Sequence, residues 1–168
     1  TLFLRAGEYR LKQSLTIPSD IHICGEGRST VLICEPTIRT AAILLGDLDA
    51  KNITIENLVV DGSKEHQEAY DPNSGRFYRT GRYSNALAGI SMRGEAGHAF
   101  SNIKLKNLTV INFSRSGVYI SDAEGIEIDH CDFTENGAHV VPGPRLQHNL
   151  MIQHSSNIMI KDLSLIHI

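Results

Sequence analysis

Apolar residues in this chain recur in short alternating triplets, and polar turns separate one triplet from the next. The stretch 117–137 contains three such units: Val118–Ile120, Ile126–Ile128 and Asp132–Thr134. Side chains alternate across a β-strand, so the first and third residues of a triplet share one face. No window of useful length shows the i, i+3, i+4, i+7 spacing of an amphipathic helix. The pattern therefore predicts short β-strands joined by tight turns.

The triplets belong to a longer repeat. Similar segments begin at Asn52, Asn102, Gly125 and Asn157, and each follows an earlier triplet: Ile43–Leu45, Ile90–Met92, Val118–Ile120 and Leu150–Ile152. The separation is 23 residues from Asn102 to Gly125, 32 from Gly125 to Asn157 and 50 from Asn52 to Asn102. Periods in the twenties with three short strands each indicate a solenoid. We interpret the longer separations as one turn plus a loop.

The repeat N-I-x-I-x-N-L-x-V, clearest at Asn52–Val60, resembles the coils of right-handed parallel β-helices of the pectate-lyase-like superfamily. The opening segment is similar too, with A-G-x-Y, L-x-I-P and G-x-G elements within residues 6–27. The resemblance covers nearly all of the chain. It implies an all-β, right-handed parallel β-helix of about five coils, forming one domain over 1–168. Residues 1–45 would form the N-terminal coils and residues 46–168 the regular coils. The incomplete last coil predicts a fragment of a longer solenoid.

Several residues are expected to be structural. The first coils predict strands at Leu2–Leu4, Leu15–Ile17, Ile21–Cys24 and Val31–Ile33, with turns at Ala6-Gly7 and at 25–27. Asn57 and Asn107 occupy equivalent turns and, as in the asparagine ladders of the superfamily, should stack and hydrogen-bond to backbone groups. Asp61 precedes Gly62 and is expected to be a turn residue. Cys131 takes the place of Leu58 and Leu108, which predicts burial; a Cys24–Cys34 pair stays open.

Composition and charge narrow the function classes. The formal net charge is −3, so bulk charge indicates no nucleic-acid partner. No apolar run reaches the length of a membrane span, and no signal peptide is visible. By resemblance we expect a secreted, periplasmic or cell-surface protein whose partner is a polysaccharide or another glycan.

Two insertions interrupt the apolar pattern, at about 63–86 and 136–148. Loops this long inside a compact repeat are usually functional or disordered, and enrichment in Tyr and Arg argues against plain disorder. Tyr78 and Arg82 in the first insertion suit contacts with sugar rings and carboxylates. The second insertion contains His139, Arg145 and, at its end, His148. Both insertions lead directly into a strand that the resemblance assigns to a ligand groove.

The resemblance places that groove on the first strand of each coil. Alternation then directs one set of side chains outward into it: Ser91, Arg93, Tyr119, Ser121, Met151 and Gln153. An aromatic residue on the outside of a solenoid suits the stacking of a sugar, so Tyr119 is the most informative of these. An ordinary exposed tyrosine is the alternative.

The outward residues favour one reaction class over another. Hydrolysis of a glycosidic bond requires two carboxylates, one of them an acid, and the groove lacks paired Asp residues and the polygalacturonase motifs. Lyase or epimerase chemistry requires a base and a cation beside the uronate carboxylate. We therefore predict catalytic roles for Tyr119, Arg145, His148 and His139. The predicted substrate-binding residues are Arg93, Arg115, Ser91, Ser121, Tyr78 and Arg82, and Ca²⁺ stays open as a cofactor.

A second function class remains open beside the lyase hypothesis. A non-catalytic β-helix, such as a phage tailspike, an adhesin or a glycan-binding scaffold, fits the same repeat, because fold does not fix function. His148 and His139 also suit structural or solvent roles, and Arg93 and Arg115 suit surface ion pairs with Glu95 or Asp122. Strongly shifted pKa values in the groove would favour the enzyme.

Overall fold

The computed structural model describes residues 1–63, 68–71, 76–79, 88–94, 97–137 and 148–166, with the backbone alone for 68–71 and 76–79. Within these ranges almost all regular structure is β. The strands are β1 (Leu2–Phe3), β2 (Gly7–Leu11), β3 (Leu15–Ile17), β4 (His22–Cys24), β5 (Thr30–Cys34), β6 (Ala41–Leu45), β7 (Lys51–Asp61), β8 (Glu68–Asp71), β9 (Arg76–Arg79), β10 (Ala88–Arg93), β11 (Phe100–Ile111), β12 (Ser116–Ser121), β13 (Ala123–Asp129), β14 (Asp132–Thr134), β15 (His148–Gln153) and β16 (Ser156–Lys161). One short 3₁₀ turn, Gly27–Ser29, precedes β5. Among the described residues, no helix has the length and apolarity needed to cross a bilayer.

The strands form two large parallel sheets, as the solenoid prediction requires. The first contains five strands in the order β15-β12-β10-β6-β3. The second contains nine, with β1-β4-β7-β11-β13-β16 as its main path, while β2-β5 and β14 pair with the far halves of β7 and β11. The strands β8 and β9 form a separate antiparallel hairpin between β7 and β10. The all-β parallel solenoid predicted from the repeat is therefore confirmed.

The register of the strands matches the periods read from the sequence. Ile103 pairs with Ile53 and with Ile126, and Ile126 pairs with Ile158. These pairs are 50, 23 and 32 residues apart. The extra residues in the longer periods are accommodated before β10 and before β15, and the pairing of the strands that follow is undisturbed.

Asparagine residues in left-handed conformation mark the corners of the coils. Asn57 and Asn107 interrupt β7 and β11 with φ values of 56° and 48°, a region in which Asn is enriched among non-glycine residues. The Nδ2 atom of Asn107 donates to Oδ1 of Asn57 over 3.1 Å, so the two amides stack as predicted but bond to each other, where the prediction had bonds to backbone groups. A second pair, Asn102 to Asn52, has a length of 2.9 Å. Asp61 accepts from Asn112 and from the backbone of Ser63, which confirms its role in a turn.

The core lies between the sheets and consists of stacked apolar rows. One row runs Ile23, Ile55, Leu105, Ile128 in register, and all four are fully buried. Phe100, Phe113 and Phe133 fill the remaining interior. The last described strand is paired on one side alone, and its Ile158, Met159 and Ile160 are 42–44% exposed.

The first coils differ from the prediction in one strand, and they answer the question of a cysteine pair that the sequence left open. Gly7–Leu11 is a strand paired with β5, although the turn signal at Ala6-Gly7 and the charged Glu8 and Arg10 concealed its alternation. Cys24 and Cys34 do not form a disulfide with each other. They are not partners because Cys24 lies opposite Glu56, whereas Cys34 follows the residue opposite Asp61, at the other end of β7. Cys131 is buried, as expected.

Candidate functional site

The outward surface of the five-stranded sheet forms the groove face, which we define by Leu44, Ser91, Arg93, Arg115, Tyr119 and Met151. Its central row is set by strand register, because Leu44, Ser91, Tyr119 and Met151 lie side by side on four neighbouring strands. The inward residues beside them, Ile90, Met92, Val118 and Ile120, are fully buried. Alternation thus fixes which side chains reach the surface, as the sequence predicted.

Three adjoining depressions follow the groove face across the strands. One is lined by Ser91, Arg93, Arg115, Tyr119 and Met151, among others. The other two extend the groove toward Leu44 and the turn after β6, and Ser91 and Arg93 line all three. An elongated depression that crosses parallel strands suits a chain-like ligand better than a compact one.

Tyr119 is held in place by two neighbours. The guanidinium carbon of Arg93 lies 4.5 Å from the centre of the Tyr119 ring, within the range of a cation–π contact. The hydroxyl of Tyr119 donates a 3.0 Å hydrogen bond to Oε1 of Gln153 on β15. The ring face is therefore covered by a cation, and the hydroxyl already has an acceptor. Arg93, rather than a bare aromatic ring, is the group presented to a ligand.

Arg93 ends the groove strand β10 at the surface. Arg93 is exposed, and among the described residues neither Arg93 nor Arg115 makes an ion pair. Ordering on an aromatic face reduces the conformational freedom that an arginine loses on binding. Because guanidinium donors match carboxylate geometry, the groove face has a preorganised anion contact.

The remaining predicted site residues divide into three groups. Ser91 and Arg115 line the groove face, whereas Ser121 is only 5% exposed and lies covered between Arg93 and Gln153 on the neighbouring strands. His148 is exposed at the start of β15, opposite Ser116, three residues or about 10 Å along the strand from the position that faces Tyr119. Tyr78 belongs to β9 by its backbone alone, and His139, Arg145 and Arg82 lie outside the described residues.

Sequence reasoning missed three other groups of titratable side chains. At the turns that follow the groove strands, Nδ1 of His98 lies 2.9 Å from a carboxylate oxygen of Asp49. On the nine-stranded sheet, His22, Cys24 and Glu56 converge, and a third set, Asp129, His130 and Asp162, lies further along the same sheet. A search for residues adjacent in the chain would not find them, because strands from different coils contribute their members. None of these sets lies on the groove face, and Ca²⁺ stays an expectation.

Comparison with known proteins extends the fold assignment but not the chemistry. No protein-family model matches the sequence, and no curated protein matches it. A solved structure, ORF18 of Geobacillus virus E2, is similar over 98% of this chain and 32% of its own, with 15% identity and a TM-score of 0.59. The chain thus spans about a third of that viral protein's length. At this identity the likeness shows the fold alone, and it does not identify the pectate-lyase-like superfamily. The chain is an all-β parallel solenoid similar in fold to a phage protein.

Proposed function

We propose that the chain is a phage-type β-solenoid that binds an acidic polysaccharide along the groove face. The observation that carries the proposal is the contact between Arg93 and Tyr119, which positions a guanidinium over an elongated depression. Arg115 lines the same depression from the start of β12 and supplies a second cation. Two arginines along a polymer-shaped groove suit a ligand with repeated carboxylates, such as a uronate polysaccharide.

The apolar part of the groove face fits the same ligand. Leu44, Met151 and the ring edge of Tyr119 offer apolar surface between the cations, and Ser91 offers a hydroxyl. Sugars present apolar C–H faces and polar edges, so a surface of this mixed kind binds them without excluding water from every polar group. A glycan ligand would require the chain to act outside the cytoplasm.

The test is a binding measurement with matched variants. Wild-type chain should bind pectate or alginate, and methyl-esterified pectin should bind far more weakly because its carboxylates carry no charge. Arg93→Ala should weaken binding of the acidic polymer roughly ten- to a hundredfold, because a hydrogen bond to a charged group contributes about 1.5–3 kcal/mol. Arg10→Ala, which removes an exposed arginine from the nine-stranded sheet, is the control and should leave binding unchanged. Equal effects of the two substitutions would contradict the proposal.

A second candidate, β-elimination of a uronate polymer, is favoured by the contact between a phenol and a guanidinium. In that mechanism Arg93 neutralises the uronate carboxylate, and the Tyr119 oxygen takes the proton from C5. The C–H electron pair becomes the C4=C5 double bond, and the glycosidic bond at C4 breaks as its oxygen receives that proton from Tyr119. Tyr119→Phe separates the two candidates, because it keeps the ring under Arg93 and removes the hydroxyl. Binding without unsaturated product, unchanged in Tyr119→Phe, supports the binding protein. Ultraviolet-absorbing product that disappears in Tyr119→Phe supports the lyase.

A further inference from the structure

A cluster of three potential metal ligands lies on the outward face of the nine-stranded sheet, away from the groove face. His22 and Cys24 are two residues apart on β4 and point outward, because Ile23 between them is fully buried. Glu56 on β7 lies directly opposite Cys24 in register, and it points outward because Ile55 is also buried. Strand alternation and register together therefore bring an imidazole, a thiol and a carboxylate to one place.

The spacing of the three groups is close to that of a coordination sphere. The Nε2 atom of His22 lies 2.9 Å from Oε1 of Glu56, and the ligand atoms of all three residues lie within 4.8 Å of one another. Tetrahedral zinc with its usual bond lengths separates its ligand atoms by about 3.3–3.8 Å. The measured separations differ from that range by about 1 Å at most. All three residues are half-buried, so the cluster is sheltered and still accessible.

A neighbouring amide orients the sulfur of Cys24, whose thiol donates to the carbonyl of Gly25 over 3.5 Å. The amide of Asn57 directs its Nδ2 atom at the sulfur of Cys24 over 3.6 Å, and its orientation is fixed because its Oδ1 accepts from Asn107. Hydrogen bonds of this kind orient metal ligands. The nearby Lys106 and Lys104 do not occupy the carboxylate of Glu56, because both pair with Glu127, at 2.9 Å and 3.7 Å.

We propose that His22, Cys24 and Glu56 bind a transition-metal ion of the zinc class, with its fourth position open to solvent. A thiolate and a carboxylate together carry two negative charges, which match a divalent cation. The thiolate selects a borderline or soft metal such as Zn²⁺ or Co²⁺ over Ca²⁺ and Mg²⁺, which prefer oxygen ligands. Three protein ligands and an open position are the arrangement of a reactive rather than a purely structural zinc site. The proposal is independent of glycan binding.

Cobalt provides the direct test, since it replaces zinc and reports a bound thiolate by a charge-transfer band in the near ultraviolet. Titration of the 168-residue chain with Co²⁺ should produce that band with one equivalent, and Zn²⁺ but not Ca²⁺ should abolish it. Cys24→Ser should remove the band, and His22→Ala should weaken binding at least tenfold. His130→Ala, which alters the exposed set with Asp129 and Asp162, is the matched control and should change neither.

Thiol alkylation gives a second readout that needs no variant. Burial raises the pKa of Cys34 to about 12, and Cys131 is buried as well, so Cys24 should be the thiol that reacts in the folded chain. Zn²⁺ should slow its modification at least tenfold. The proposal is overturned by absence of the band in wild-type chain, by a band that survives Cys24→Ser, or by an alkylation rate that Zn²⁺ leaves unchanged.

Discussion

The same sequence motif occupies two very different environments in this solenoid. In β7 the segment beginning at Asn52 has both its isoleucines, Ile53 and Ile55, fully buried. In β16 the segment beginning at Asn157 has the same spacing and the same left-handed asparagine, yet its isoleucines are 42% and 44% exposed. The two segments differ in their neighbours, because β7 is flanked by strands on both sides and β16 on one. Burial in this fold is conferred by adjacent coils.

This contrast bears on where a ligand site can be rigid. Tyr119 lies on β12, which pairs with β10 on one side and with the edge strand β15 on the other. The cluster of His22, Cys24 and Glu56 likewise rests on a strand, β7, with partners on each side. Both proposed sites therefore use the supported part of the solenoid, which preorganises their side chains.

The largest effect is expected from a substitution in the buried core row that contains Ile55. Ile55→Ala should lower the free energy of unfolding by about 2–5 kcal/mol, because the cavity it leaves is enclosed by coils on both sides. Ile160→Ala at the equivalent position of β16 should cost less than about 1 kcal/mol, since its side chain is already 44% exposed. Urea-induced unfolding of the two variants measures the difference. Equal losses would mean that burial in this fold does not depend on the adjacent coil.

A smaller loss of stability is expected from substitutions at the asparagine corners of the coils. Asn107→Ala should lower the free energy of unfolding by about 1–3 kcal/mol, because it removes the hydrogen bond to Asn57 and puts a β-carbon into left-handed backbone without a compensating amide. Asn107→Gly tolerates the left-handed backbone and should recover part of the loss. Thermal unfolding followed by circular dichroism measures both. A glycine variant as unstable as the alanine variant would assign the whole effect to the hydrogen bond.

The smallest effect is expected from the ion pairs of Lys104 and Lys106 with Glu127, on the outward face of the nine-stranded sheet. The hydrogen bond from Lys106 lowers the pKa of Glu127 below its ordinary value of 4.5. A lowered pKa in the folded state means that Glu127 stabilises the fold above about pH 4.5, and that this contribution disappears as the pH falls through the lowered pKa. Glu127→Gln should therefore make the free energy of unfolding depend less on pH in the acid range. In high salt the effect of the substitution should be small, because salt screens the ion pair. An unchanged acid profile would show that the pair contributes nothing measurable.

The repeat carried most of the information about the fold, and the reason is physical. Each coil buries its own alternating row against the next, so the N-I-x-I spacing encodes both the strand and its register. Gly7–Leu11 was not predicted as a strand because its outward residues Glu8 and Arg10 are charged and its inward row consists of Tyr9 and Leu11 alone. No repeat aligned the first coil with the later ones, so the pairing of β4 with β7 could not be predicted from the sequence.

The candidate sites were less accessible to sequence reasoning for a related cause. Alternation correctly directed Tyr119 and Arg93 outward, but the stacking of one on the other depends on side-chain conformation across two strands. Cys24 and Glu56 are 32 positions apart in the sequence, and strand pairing alone brings Glu56 to Cys24 and His22. Residues that meet across coils are visible in a sequence when the register of both coils is known beforehand.

The uneven period of the coils has a consequence for how such a protein can diversify. Extra residues enter the chain before β10 and before β15, at the margin of the groove face, and the paired strands on either side keep their register. Segments at those two junctions can therefore change in length and composition without a change in the pairing of the strands. In evolution, these two segments could therefore be replaced while the solenoid that carries them is retained.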